Sequence, residues 1–94
     1  MMMREIEVTA DAVFADLPDG GVVVHTGTKR YYSLNQTGAR IWGLLEHSGS
    51  LAAAASTIAT EYGISIEEAN HAVTELTEGL LAAGLVRRAL GGEV

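Results

Sequence analysis

The chain has 94 residues, enough for one small domain; a chain this short buries only about 60–65% of its unfolded surface, too little for most large catalytic architectures. Hydrophobic residues make up 48% and charged residues 19%, a globular and not a disordered composition, and the absence of cysteine excludes disulfides, thiolate metal sites and thiol catalysis. Twelve acids against six bases leave a net charge of −6, a field that repels phosphate and argues against nucleic acid as a partner.

Residues 5–9 alternate and read either as a frayed extra strand or as an extended tail. Val13-Phe14-Ala15 reads as a strand and is followed by Leu17-Pro18-Asp19-Gly20-Gly21, a turn cluster. Val22-Val23-Val24-His25 is β-branched and forms the next strand. Thr26-Gly27-Thr28 turns the chain again into Tyr31-Tyr32-Ser33-Leu34. Connections this short make the three strands an antiparallel meander, adjacent in sequence order.

From residue 35 the period becomes helical. Asn35 is the N-cap of a first helix with Ile41, Trp42 and Leu45 on its apolar stripe, ending at His47-Ser48-Gly49. Ser50 caps a second helix whose stripe is Leu51, Ala54, Ala55, Ile58 and Tyr62, closed by Gly63. Ser65-Ile66-Glu67-Glu68 is a capping box opening a third helix, with Ile66, Ala69, Val73, Leu76 and Leu80 along its core face. That helix stops at Gly84, where Leu85 can fold back on Leu80. Gly79 inside it either is tolerated, the commoner case, or admits close approach of another backbone. The expected fold is α+β and winged helix-turn-helix-like: a three-stranded antiparallel sheet followed by a three-helix bundle. It forms a single domain over residues 1–94, with an ordered core from about 12 to 87 and loose ends at 1–4 and 89–94.

No stretch is long or apolar enough for a membrane span, and no apolar segment follows Met1-Met2-Met3-Arg4, so the expected location is the cytoplasm. His25, His47 and His71 share no metal-binding spacing, and solvated or partly packed histidines explain them better. No nucleophile elbow is present, and Ser50 and Ser65 are already explained as caps. Glu67, Glu68, Glu75 and Glu78 read as a solvated helix face. No catalytic residue, metal or cofactor is expected.

The junction at Tyr62-Gly63-Ile64-Ser65 resembles a helix-turn-helix, so an acidic winged-helix regulator is one alternative. Charge opposes it. A recognition helix needs Lys or Arg for phosphate and base contacts, and none occurs between Arg40 and Arg87.

The last strand is the remaining candidate surface. A three-stranded meander has two open edges, and an open edge is a row of unpaired N–H and C=O groups. Lys29 and Arg30 guard only the start of this one, and Tyr31-Tyr32-Ser33-Leu34 contains no proline and no inward charge. A peptide can add to such an edge as a fourth strand, with affinity from the main chain and selectivity from pockets at alternate residues. Tyr32 and Leu34 share one face, Tyr31 and Ser33 the other. The competing reading is that these residues are core and the third helix covers the edge.

The run from Tyr31 to Trp42, Tyr31-Tyr32-Ser33-Leu34-Asn35-Gln36-Thr37-Gly38-Ala39-Arg40-Ile41-Trp42, resembles the RYYxLNxTGAxIW signature of PqqD-like proteins. Ile58-Ala59, Tyr62-Gly63, Val73, Leu76 and Ala83-Gly84-Leu85-Val86 are similar to the rest of that pattern, which spans about residues 12 to 87. PqqD-like domains are precursor-peptide recognition elements of ribosomally made, post-translationally modified peptide (RiPP) pathways. The resemblance implies a non-catalytic protein that binds a leader peptide as a strand beside the third strand, in a cleft shared with the third helix.

The Thr28-Lys29-Arg30-Tyr31-Tyr32 approach to Leu34-Asn35 lacks the proline-glutamate pair usual in the coenzyme PQQ branch and resembles the stand-alone lasso-peptide members. That likeness implies two partners: a transglutaminase-like cysteine leader peptidase and an asparagine-synthetase-like cyclase. A PQQ-type or sactipeptide-type chaperone for a radical SAM enzyme is the alternative. Carried onto this chain, the implied peptide-binding residues are Lys29, Arg30, Tyr31, Tyr32, Ser33 and Leu34, with Asn70, Val73, Thr77 and Leu80 as the helix-three wall. Val73 and Leu80 read equally well as plain core, and Glu67, Glu68, Glu75 and Glu78 either are simply solvated, the better reading, or steer basic leader residues or a basic enzyme partner. Pairing would use the backbone of Tyr31 and Ser33, or of Tyr32 and Leu34, according to register. The open edge also permits a homodimer paired or swapped through strands.

Overall fold

The computed structural model describes residues 4–89. Its elements are β1 (Ile6–Val8), β2 (Ala12–Leu17), β3 (Gly20–His25), β4 (Tyr31–Asn35), α1 (Gln36–Ser48), α2 (Leu51–Tyr62), α3 (Ile66–Ala82) and β5 (Val86–Arg88). β2, β3 and β4 form an antiparallel sheet in that spatial order, the meander expected from its short connections. Pro18 and Asp19 alone join β2 to β3. Gly20 follows at φ 150°, and a Cβ there would run into the carbonyl oxygen of Leu34 on the neighbouring strand.

The turn into β4 is built around His25. Its Nδ1 accepts the backbone N–H groups of Gly27 and Thr28, each at 3.1 Å. The Lys29 N–H donates to the His25 carbonyl at 2.8 Å, and Lys29 takes the left-handed conformation at φ 66°.

Pleating divides the sheet into two unlike faces. Phe14, Val23 and Tyr32 stand side by side across the three strands, as do Val13, Val24 and Tyr31 on the opposite face. The first row packs under the helices. Phe14 stacks on Trp42 of α1 with ring centroids 6.2 Å apart and planes 17° from parallel.

Each helix starts and stops where its capping residues dictate. The Asn35 side chain accepts the Gly38 N–H at 2.8 Å, and the Ser50 hydroxyl accepts the Ala53 N–H at 3.1 Å. At the start of α3, Ser65 and Glu68 bond reciprocally, side chain to backbone, at 3.0 and 3.1 Å. Gly49 and Gly63 end α1 and α2 in the left-handed conformation. Beyond α3, Leu85 N–H reaches the Leu80 carbonyl at 3.0 Å and Gly84 N–H the Leu81 carbonyl at 3.1 Å, a Schellman closure with Gly84 at φ 75°. Two members of the expected apolar stripes turn outward at the α2–α3 junction: Tyr62 and Ile66 are 44% and 49% exposed.

Residues 5–9 are no tail. β1 pairs antiparallel with β5, a strand the sequence reading did not contain, in the register Ile6↔Arg88 and Val8↔Val86. Ile6 is wholly buried and joins Val23, Leu34, Trp42, Leu80, Leu85 and Val86 in one core cluster. A second cluster, centred on Ile41, Leu45, Ile58, Ala69 and Val73, knits the helices together. Polar contacts hold this segment at both of its flanks. Arg4 donates to the His47 carbonyl at 3.2 Å, at the negative end of α1, and the Glu5 carboxylate accepts the Leu51 N–H at 2.8 Å, at the positive end of α2. The core thus begins at Ile6 and not near residue 12. Two three-residue strands separated by 80 positions carry too little local pattern to be recognised alone. The expectations for residues 1–3 and 90–94 lie outside the described residues.

Candidate functional site

Among the described residues β4 pairs only with β3, so its other side is an open edge. The direction of its backbone groups follows from the turn. The His25 N–H points toward β4, bonding the Arg30 carbonyl at 2.8 Å. Backbone groups alternate sides along a strand, so Val23 and Gly21 also face β4, and their partners Tyr32 and Leu34 face inward. The N–H and C=O groups of Tyr31 and Ser33 therefore face the open edge. Of the two pairings left open by the sequence, the geometry leaves Tyr31 and Ser33 available.

Beside this edge lies a groove of about 390 Å³ between the end of β4, the first turns of α1 and one flank of α3. Leu34, Gly38, Ile41, Ala72 and Leu76 line its apolar part, with Tyr32, Ser33, Asn35, Thr37 and Glu75 at its polar margins. The size suits one or two large side chains. Gly38 is buried at the base, where a Cβ would press on the Asn35 side-chain oxygen at 3.2 Å and on Leu34. The residue that caps α1 thus shares a wall with the residue that floors the groove.

The structure places the sequence-derived residues in three groups. Lys29, Arg30, Tyr31 and Ser33 are exposed at the turn and along the edge, with Tyr31 71% accessible. Tyr32 is half-buried and Leu34 buried, and both line the groove. The helix-three wall differs from the one expected. Val73, Thr77 and Leu80 are at most 3% exposed and lie in the core, and Asn70 points to solvent away from the groove lining. The side of α3 that meets β4 carries Ala72, Glu75, Leu76 and Gly79. These residues lie about one helical position round from the expected set, which followed the core stripe itself. Two small residues seven positions apart, Ala72 and Gly79, were the available signal, since small side chains on one helix face let a strand approach. The α1 contribution of Thr37, Gly38 and Ile41 was also absent from the expected set.

Other chemistry is sparse. Among the described residues no group of three or more His, Asp or Glu is placed to hold a metal ion. Of the exposed glutamates of α3, Glu67 and Glu78 face solvent, Glu68 is engaged in the cap and Glu75 stands at the groove. Among the described residues no helix is long and apolar enough to cross a membrane.

A three-stranded meander under three helices, with a groove along its last strand, is the α+β class expected from the sequence. Residues 20–86 match the family model described as coenzyme PQQ synthesis protein D (PqqD), and the chain belongs to that family. Among solved structures it is similar to TbiB1 in complex with the TbiA(beta) leader peptide, with 25% identity and a TM-score of 0.80 over 86% of this chain and 94% of that one. It is similar in fold to a lasso peptide synthetase B1 complexed with the leader peptide, with 24% identity and a TM-score of 0.80 over 88% of this chain and 98% of that one. No curated protein matches the sequence.

Proposed function

We propose that this chain is a non-catalytic recognition element that captures the leader segment of a ribosomally made precursor peptide as a fourth strand on β4. The observation that carries this reading is the juxtaposition of the outward backbone groups of Tyr31 and Ser33 with the groove. The edge supplies amide-to-carbonyl pairing of any sequence, and the groove beside it takes leader side chains that point toward α3. TbiB1, a protein of similar fold seen with a leader peptide, supports the assignment.

In this reading the bound leader is handed to separate enzymes: a transglutaminase-like cysteine peptidase that removes it and an asparagine-synthetase-like cyclase that closes a lasso core, all in the cytoplasm. Matching to the PQQ synthesis family model favours a second reading, in which the same capture serves a radical SAM enzyme. Copurification of the chain and its precursor with each enzyme class distinguishes the two.

Strand capture itself is tested by moving a proline along the leader and measuring affinity. Proline lacks the N–H that a ladder requires. Affinity should fall when it occupies the positions that pair with Tyr31 and Ser33 and recover outside them; an affinity that ignores the position of proline contradicts strand addition.

A further inference from the structure

Resting on that reading, we infer that Glu75 is a specificity-determining residue, selecting leaders that bring a lysine or arginine into the groove two positions from an apolar side chain. Among the described residues that line the groove, Glu75 is the only acidic or basic one. It is also unneutralised. Arg40 is paired with Glu61 and Arg87 with Glu7, Arg4 is bonded to carbonyls at the end of α1, and among the described residues no lysine or arginine pairs with Glu75. Its one ionic neighbour is His71 at 3.9 Å, beyond hydrogen-bond distance.

The surroundings of this carboxylate determine which cation it takes. The neighbouring wall is Ala72 and Leu76, both half-buried and apolar. A lysine or arginine can lay its methylene stem on that wall while its charged head reaches the rim, an arrangement a bare ion or a short cationic group cannot copy. An added strand presents residues i and i+2 to the same side. One such residue fills the apolar base over Leu34, Gly38 and Ile41 while the next meets Glu75. The carboxylate carries a large fraction of its surface in water, so it discriminates modestly against a neutral residue and more strongly against an acidic one.

The test is selection of a displayed library of random 12-residue peptides on the wild-type chain and on Glu75→Lys. Because Glu75 is an exposed helix residue, the variant keeps its fold, which circular dichroism verifies. The expected result is enrichment of an apolar residue paired at i±2 with Lys or Arg on the wild type, and with Asp or Glu on Glu75→Lys. For a selected peptide, Glu75→Gln should weaken binding about twofold to fivefold at low salt and less at high salt. If both proteins enrich the same extended, apolar sequences with no charge at i±2, the role of Glu75 is overturned while strand capture stands. If neither protein enriches any peptide whose binding is sensitive to proline, capture itself is wrong, and this inference falls with it.

Discussion

The ring of Tyr32 on β4 lies against Gly79 on α3, its hydroxyl occupying the space where a side chain at position 79 would stand. A helix-interior glycine costs about 0.8–1 kcal/mol relative to alanine. Here that cost makes room for the tyrosine that joins the sheet edge to the groove wall.

The relationship predicts a change of sign. Gly79→Ala should destabilise the wild type by about 1 kcal/mol, because overpacking against Tyr32 outweighs the gain in helix propensity. In a Tyr32→Phe background, with the overlapping hydroxyl gone, the same substitution should become neutral or stabilising. Urea unfolding of the four proteins checks it, and additivity of the two changes would contradict the contact.

Ile6 anchors β1 from the far side of the core. Ile6→Ala should cost about 2–5 kcal/mol, the range for a fully buried isoleucine, and lower the thermal midpoint accordingly. A loss below about 0.5 kcal/mol would mean that the segment is a dispensable tail.

Thr77 was expected on the groove wall, yet it is 3% exposed and its hydroxyl has no hydrogen-bond partner among the described residues. Burying an unpartnered hydroxyl is unfavourable. Thr77→Val should hold or raise stability, by up to about 1 kcal/mol, and leave leader affinity unchanged. A loss of affinity with intact stability would return Thr77 to the wall.

Arg40 and Glu61 tie α1 to α2 through hydrogen bonds of 2.9 and 2.6 Å. Hydrogen bonding to Arg40, reinforced by its charge, holds the Glu61 carboxyl below its ordinary range. A depressed folded pKa stabilises above the unfolded value and loses that contribution as pH falls through the folded one. Glu61→Gln should therefore lower the melting temperature slightly at neutral pH and converge with the wild type as the pH falls below the ordinary carboxylate range. Both groups face solvent, so the effect is small and should shrink with added salt.

Where the sequence was legible, local chemistry decides. Asn35, Ser50 and Ser65 with Glu68 mark helix starts by bonds to residues three positions on, and Gly49, Gly63 and Gly84 mark the ends by a conformation that favours glycine. The β2-β3-β4 order follows from connections too short to place any other strand between them, whereas whether the β4 edge stays open was not decided by them. What was hidden depends on partners distant in sequence. β5 exists because β1 is there to pair with it. The groove wall required the rotation of α3 about its axis, and an amphipathic stripe defines that rotation only to within about a residue. Core positions 73, 77 and 80 interleave along the same turns with groove positions 72, 75 and 76 and with position 79 under Tyr32, so the choice between them awaited the position of Tyr32.

Amide hydrogen exchange on β4, with and without the precursor leader, tests the central claim most directly. In the free protein Tyr32 and Leu34 should be protected by β3 while Tyr31 and Ser33 exchange quickly. Leader binding should slow Tyr31 and Ser33 and leave the protection pattern of their neighbours in place. If Tyr31 and Ser33 are already protected without a peptide, or still exchange freely when it is bound, β4 is not the strand to which the leader adds.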